Sequence, residues 1–219
     1  IPATEKGNKV YIFFEGVYNN SEVFINGKWV GKRPNGYISF MYDLTSYIKW
    51  GEKNSIAVRV DHSNDADSRW YTGSGIYRDV YLIYANPIHI DLWGVAYKAD
   101  IKNNLAEITI SSTIKNSTGS ATIKVVHELF DAAGRKLVST SKSGQASAKA
   151  LTLKTSVYKE SDLIDENIVK AGFRDLKFDP DKGFYLNGVN TKLKGVCIHH
   201  DAGVLGAAVT KSVWRTRLE

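Results

Sequence analysis

The stretch KLKGVCIHHDAG (192–203) places Cys197, His199, His200 and Asp201 in one five-residue span at the end of an apolar run. Thiol, imidazole and carboxylate groups at that spacing raise three kinds of chemistry. If the run is a strand, Cys197 and His199 share a face. A cysteine nucleophile with a histidine base also needs a third, orienting group and an oxyanion pocket, and the sequence offers neither. His199, His200 and Asp201 carry metal-ligand atoms, but consecutive strand residues point to opposite faces and do not converge on one ion. No metal is therefore expected. Two readings stay open for these residues: polar groups lining the mouth of a ligand pocket, and caps with a purely structural role.

A second group lies in NDADSRWYTGSGIYRDV (64–80), with Asp65, Asp67, Arg69, Trp70 and Tyr71 ahead of a strand-like run. Sugars are held by such mixtures. Aromatic faces pack on the C–H face of the ring, and carboxylates accept hydrogen bonds from hydroxyls. The competing reading is an acidic surface loop with one packed tryptophan. A carboxylate pair that cleaves a glycosidic bond needs a fixed separation on a rigid frame, which Asp65 and Asp67 in one loop do not provide.

The elements that must position these residues are almost all strands, since period-two alternation dominates. In KVYIFFEG, Val10, Ile12 and Phe14 share a face; in NSIAVRVDH, Ile56, Val58 and Val60 do. Asn26-Gly27 joins two short apolar runs as a tight hairpin turn, and Pro34-Asn35-Gly36 marks another turn. These short strands predict a jelly-roll β-sandwich closing near Pro87. A second set follows: 104–114 with Ile108 and Ile110 on one face, 121–130, a turn at 131–134, its returning strand, a polar loop at 141–150, and strands over 151–159 and 166–176. That set predicts an immunoglobulin-like β-sandwich over 88–176. From 177 the chain reads as a hairpin across Asn187-Gly188, an apolar strand at 193–198, and a helix capped by Thr210 with Val213, Trp214 and Leu218 on its apolar face. A strand feeding a helix is half of a βα unit that cannot bury its surface alone, so a third domain is expected to begin here and to be cut short at 219.

Composition narrows the function classes. A chain of 219 residues, 43% hydrophobic, exceeds one small sandwich and implies more than one domain. The single cysteine allows neither an intrachain disulfide nor a cysteine-based zinc framework. Net charge is +6, yet the basic residues are scattered and form no nucleic-acid signature. No stretch is apolar enough to span a membrane. No nucleic-acid, membrane or cofactor partner is indicated, and a carbohydrate partner stays open through the 64–80 mixture. Ile1 is not expected to be a natural start, so the compartment stays open.

The stretches FFEGVYNNSEVFINGKWVGKRPNGYISFMYDLTSYI and GSGIYRDVYLI resemble the N-terminal sugar-binding domain of glycoside hydrolase family 2, which contains β-galactosidases, β-glucuronidases and β-mannosidases. AGFRDLKFDPDKGFYLNGVNTKLKGVCIHHDAG resembles that family's join between its immunoglobulin-like domain and its catalytic (β/α)8 barrel, which implies that 177–219 is the truncated start of that barrel. The Phe-Glu-Gly-Val, Ile-Asn-Gly-Lys, Gly-Ile-Tyr-Arg-Asp-Val and Leu-Asn-Gly motifs carry the likeness together, in family order. The resemblance implies a fragment of a retaining β-galactosidase whose acid/base and nucleophile glutamates lie beyond Glu219. It places His199, His200 and Asp201 at the end of the first barrel strand, on the face where such barrels bind substrate. Where the family has Arg-His-Glu, this chain has Ile198-His199-His200. Asp67, with Asp65 second, matches the aspartate that reaches the sugar from the sandwich, beside Arg69 and Trp70. The substrate-binding set is thus Asp67, Arg69, Trp70, His199, His200 and Asp201, with no catalytic residue in the chain. The resemblance further implies a homo-oligomer through the parent enzyme, an N-terminal strand missing before Ile1, and residues missing at Ala150–Leu151. A two-sandwich carbohydrate-binding or adhesion module is the alternative.

Overall fold

The computed structural model describes residues 1–64, 71–102, 105–119, 121, 123–139, 144–145, 151–159, 162–172 and 174–219. The chain divides into two compact units, one made of Ile1–Ala85 with Cys197–Glu219, the other of Asn86–Val196.

In the first unit, β1 (Lys9–Phe14), β2 (Val17–Tyr18), β3 (Ser21–Ile25), β4 (Lys28–Arg33), β5 (Phe40–Asp43), β6 (Ile56–Arg59), β7 (Gly75–Ile76) and β8 (Val80–Ala85) follow in order. One sheet runs β5-β1-β8, a second β4-β3-β6, and β2 pairs with β7. Val10, Ile12 and Phe14 of β1 meet Val23 and Ile25 of β3 and Phe40 of β5 in one buried cluster. This is the face that period-two alternation predicted. Each such side chain contributes about 1.5–3 kcal/mol by leaving water. The Asn26-Gly27 turn forms with φ of 49° and 78°, bringing Ile25 opposite Lys28. Positive φ at both central residues matches the right-handed twist of the flanking strands. Val58 and Val60 pack against the cluster as expected, whereas Ile56 of that predicted face is 42% exposed at the strand's start.

In the second unit, β9 (Ile88–Lys102) and β10 (Leu105–Asn116) form a long hairpin. β11 (Ile123–Phe130), β12 (Lys136–Ser139), β13 (Gly144–Gln145), β14 (Leu151–Lys159) and β15 (Asp162–Ala171) complete two sheets, β13-β10-β9 and β12-β11-β14-β15. Leu129 and Ala171 of the second sheet pack against Val95, Tyr97, Ile108 and Ile110 of the first. The turn at 131–134 closes on a Gly134 N–H to Asp131 carbonyl bond of 3.0 Å. The loop expected over 141–150 holds the short strand β13; its other residues, including Ala150 at the suspected join, lie outside the described residues. Three further strands, β16 (Leu176–Asp179), β17 (Gly183–Leu186) and β18 (Val189–Asn190), make a small antiparallel sheet. Asn187-Gly188 turns β17 into β18, as its sequence predicts, and a second hairpin through 180–182 joins β16 to β17.

The structure departs from expectation at 193–198. Residues 191–199 form no paired strand, and Leu193 and Val196 are exposed. An extended segment becomes a ladder strand only when a neighbour satisfies its N–H and C=O groups, and no strand pairs with this one among the described residues. The helix α1 (Lys211–Leu218) does form with Thr210 at its N-cap, although the Thr210 side chain makes no capping bond. Val213 and Trp214 are half-buried, while Leu218, predicted on the same apolar face, is exposed. No described helix is long and apolar enough to cross a membrane.

Candidate functional site

Three stretches of the first unit converge on His200: the β4–β5 connection, the residues just after β7, and the tail from 197 onward. In the first, Asn35 Oδ1 accepts from the backbone N–H groups of Tyr37 (2.8 Å) and Ile38 (3.0 Å), the local bond that makes asparagine a turn former. That turn presents the Tyr37 ring edge-on to Tyr18, at 5.3 Å. Tyr18 also packs on His62 at 5.0 Å, and His62 Nδ1 lies 2.8 Å from Ser74 Oγ. A Cβ on Gly36 would stand 2.3 Å from Tyr18 Cδ2, so only glycine lets this ring close over the turn.

After β7, the Tyr77 hydroxyl donates to the Gly36 carbonyl at 2.8 Å. Burial raises the Tyr77 pKa, opposed by the Arg78 charge, so the phenol keeps the proton this bond requires. The Arg78 guanidinium lies over the Tyr77 ring, 5.4 Å from its centre, and its Nη2 stands 3.4 Å from His200 Nε2.

The tail docks through Gly206 and Ala207. Ala207 is buried, and its N–H donates to the Thr72 carbonyl at 2.9 Å. Gly206 has φ +54°, and a Cβ there would fall 2.5 Å from the same Thr72 oxygen. A tight turn over Gly203–Leu205 precedes it, with Asp201 Oδ1 accepting from the Gly203 N–H at 3.3 Å. From α1, the Trp214 ring sits 6.1 Å from His200, and Arg217 reaches both the Trp214 ring (5.6 Å) and the His199 carbonyl (3.4 Å).

His200 is thus enclosed by Tyr37 (6.3 Å), Tyr77 (6.3 Å) and Trp214. Burial, followed by the nearby Arg78 charge, holds its pKa below the ordinary histidine value. His199 is exposed and Asp201 half-buried. Of the six residues predicted to contact ligand, His199, His200 and Asp201 lie together here, while Asp67, Arg69 and Trp70, like Asp65, lie outside the described residues. Tyr71, at the near edge of that loop, is 66% exposed. Cys197 is exposed in the unpaired segment, so the shared strand face that would set it beside His199 does not form. Among the described residues no three His, Cys, Asp or Glu groups are arranged to hold a metal ion. Tyr37, Tyr77, Arg78 and Trp214 were not predicted around His200. Tyr77 and Arg78 stand in the Gly-Ile-Tyr-Arg-Asp-Val motif, but nothing in linear spacing links 77 to 200.

Aromatic faces, one neutral imidazole, two guanidinium groups and a carboxylate side by side suit a polyhydroxylated ligand. Hydroxyls take and give hydrogen bonds, and ring C–H faces stack on aromatic rings.

Residues 2–87 match the model of the sugar-binding domain of glycosyl hydrolases family 2. The chain is 41% identical to a β-galactosidase of Bacteroides ovatus, over 98% of this chain and 28% of that protein. It is 31% identical to a β-glucuronidase of Formosa agariphila, over 89% of this chain and 24% of that protein. A crystal structure of a β-glycosidase from Bacteroides vulgatus superposes with a TM-score of 0.89 at 45% identity, covering 100% of this chain and 30% of that one. The chain therefore spans about a quarter to a third of the length of these relatives. Strand order, motifs and similarity across nearly its whole length agree, and the chain belongs to glycosyl hydrolases family 2, with residues 2–87 as that family's sugar-binding domain.

Proposed function

We propose that this chain is the N-terminal portion of a retaining β-galactosidase. Residues 1–87 serve as the sugar-binding jelly roll, 88–176 as an immunoglobulin-like sandwich, and 177–219 as the start of the catalytic barrel. In the whole enzyme one carboxylic acid protonates the leaving oxygen while a second carboxylate attacks the anomeric carbon; water then releases the sugar. Those two groups come from barrel strands outside these 219 residues. This chain supplies sugar contacts from His199, His200 and Asp201 and, as the family likeness implies, from Asp67, Arg69 and Trp70. The observation that carries the reading is the placement of His200, at the 199–201 tip, against Tyr37, Tyr77 and Arg78 of the sugar-binding domain. The choice of β-galactoside rests on the 41% identity to the Bacteroides ovatus enzyme.

The β-glucuronidase relatives support a second reading, in which the sugar carries a carboxylate and Arg78 or Arg217 lies near it. Comparing aryl β-galactoside and aryl β-glucuronide turnover by the full-length enzyme decides between them. Preference for the galactoside is expected; preference for the glucuronide overturns the choice of sugar. The 219-residue chain alone, made in a host lacking β-galactosidase, is expected to hydrolyse neither. Turnover by that chain would disprove the assignment of catalysis to later strands.

A further inference from the structure

We propose that Arg78, with Tyr37, Tyr77 and Trp214 around the ring, locks His200 as the Nδ1-protonated neutral imidazole, and that His200 so held is the positioning residue for His199 and Asp201. The purpose of this lock rests on the sugar-site reading above; its geometry does not. A guanidinium only donates, so His200 Nε2, 3.4 Å from Arg78 Nη2, must accept, which leaves the proton on Nδ1. Free imidazole favours the opposite tautomer, so the form present reports directly on this contact.

The surroundings act in the same direction. Tyr37 and Trp214 are uncharged, and Tyr77 keeps its proton to donate to Gly36. The charged groups close by are Arg78, Arg217 on the His199 carbonyl, and Asp201, whose Oδ1 is engaged by the Gly203 N–H. An imidazolium would be half-buried and would face the Arg78 guanidinium, a like-charge arrangement that favours the neutral ring. The three rings come from three separate stretches of chain, so His200 ties the tail to the sandwich at one point. Its neighbours on either side are then held: the His199 carbonyl accepts from Arg217, and Asp201 Oδ1 accepts from the Gly203 N–H. Precise presentation of ligand-contacting groups needs such a locked supporting residue.

Long-range proton–nitrogen NMR on the intact 219-residue chain near neutral pH tests the lock, with amide exchange as the second measurement. The expected result is the Nδ1–H tautomer in the wild type, moving toward the Nε2–H form in Arg78→Ala. Amide exchange at 199–206 and in α1 should rise about tenfold in Arg78→Ala and His200→Ala, as loss of a charge-assisted bond implies. His200→Gln, which keeps an acceptor near the Nε2 position, should stay within about twofold of wild type on the same reasoning. The double variant Arg78→Ala/His200→Ala should not exceed His200→Ala, because the His200 substitution already removes the Arg78 contact. Protected amides at Val10, Ile12 and Phe14 confirm a folded sandwich in each case. An Nε2–H tautomer in the wild type, or equal exchange in His200→Gln and His200→Ala, overturns the proposal. Titrating the chain with galactose in the same NMR samples is a separate readout: an intact lock without sugar shifts at 199–201 would sink the sugar-site reading alone.

Discussion

At the residue scale, two histidines tie this protein's stability to pH in the same direction. His127 on β11 is held below the ordinary histidine pKa by burial, with its Nε2 at 2.8 Å from Ser112 Oγ. A depressed folded pKa means that the unfolded chain binds the proton more readily. Stability from His127 is therefore complete above the unfolded value of about 6.5 and declines as pH falls below it toward the folded value. The urea midpoint of the second unit should drop between pH 7.5 and pH 5.5 in the wild type, and drop less in His127→Gln. An equal drop in both would remove His127 as the cause. His200 adds the same dependence to the docked tail. Gly206 is the other sensitive residue. Gly206→Ala meets both a positive φ and the Thr72 carbonyl, and should loosen the tail by about 1–3 kcal/mol. Faster amide exchange at Ala207, with the β1 core amides unchanged, is the expected sign.

At the element scale, the β3–β4 hairpin shows one side chain serving two purposes. Asn26 occupies the left-handed turn position, and its amide donates to the Tyr47 carbonyl (2.9 Å) and Asn54 Oδ1 (2.8 Å) while accepting from the Ser55 N–H (3.0 Å). The turn is thereby joined to the entry of β6, which pairs with β3. Asn26→Ala loses these partners as well as the turn preference and should cost about 1–3 kcal/mol. Asn26→Asp, which keeps the acceptor, should cost less; matching losses in urea titrations of the two variants would show that the bond to Ser55 contributes little. The Asn187-Gly188 turn repeats the backbone geometry, with φ of 51° and 78° and Asn187 Oδ1 accepting from the Asp175 N–H at 2.9 Å.

At the scale of the whole molecule, each unit holds a core of its own. Phe14 and Ile25 are fully buried in the first, and Leu129 packs between the two sheets of the second. Calorimetry should resolve two transitions. Phe14→Ala should shift only the transition of the first unit, by about 3–5 kcal/mol, and Leu129→Ala only the other, by about 2–5 kcal/mol. Both transitions moving together in either variant would contradict independent cores.

The sequence by itself determined the strand-rich architecture, because alternation such as Val10, Ile12 and Phe14 and turn pairs such as Asn26-Gly27 and Asn187-Gly188 are local physics that any tertiary setting preserves. Its motifs also determined the family. It did not determine the state of 193–198, since an apolar run becomes a strand only beside a partner that residues within the run cannot provide. Nor did it show that Tyr37, Tyr77, Arg78 and Trp214 meet at His200. That cluster is built by a contact over 122 residues of separation between Arg78 and His200. Such pairings are decided by how sheets and tail pack, where the energy of many small contacts selects one arrangement, and no spacing along the chain records the outcome.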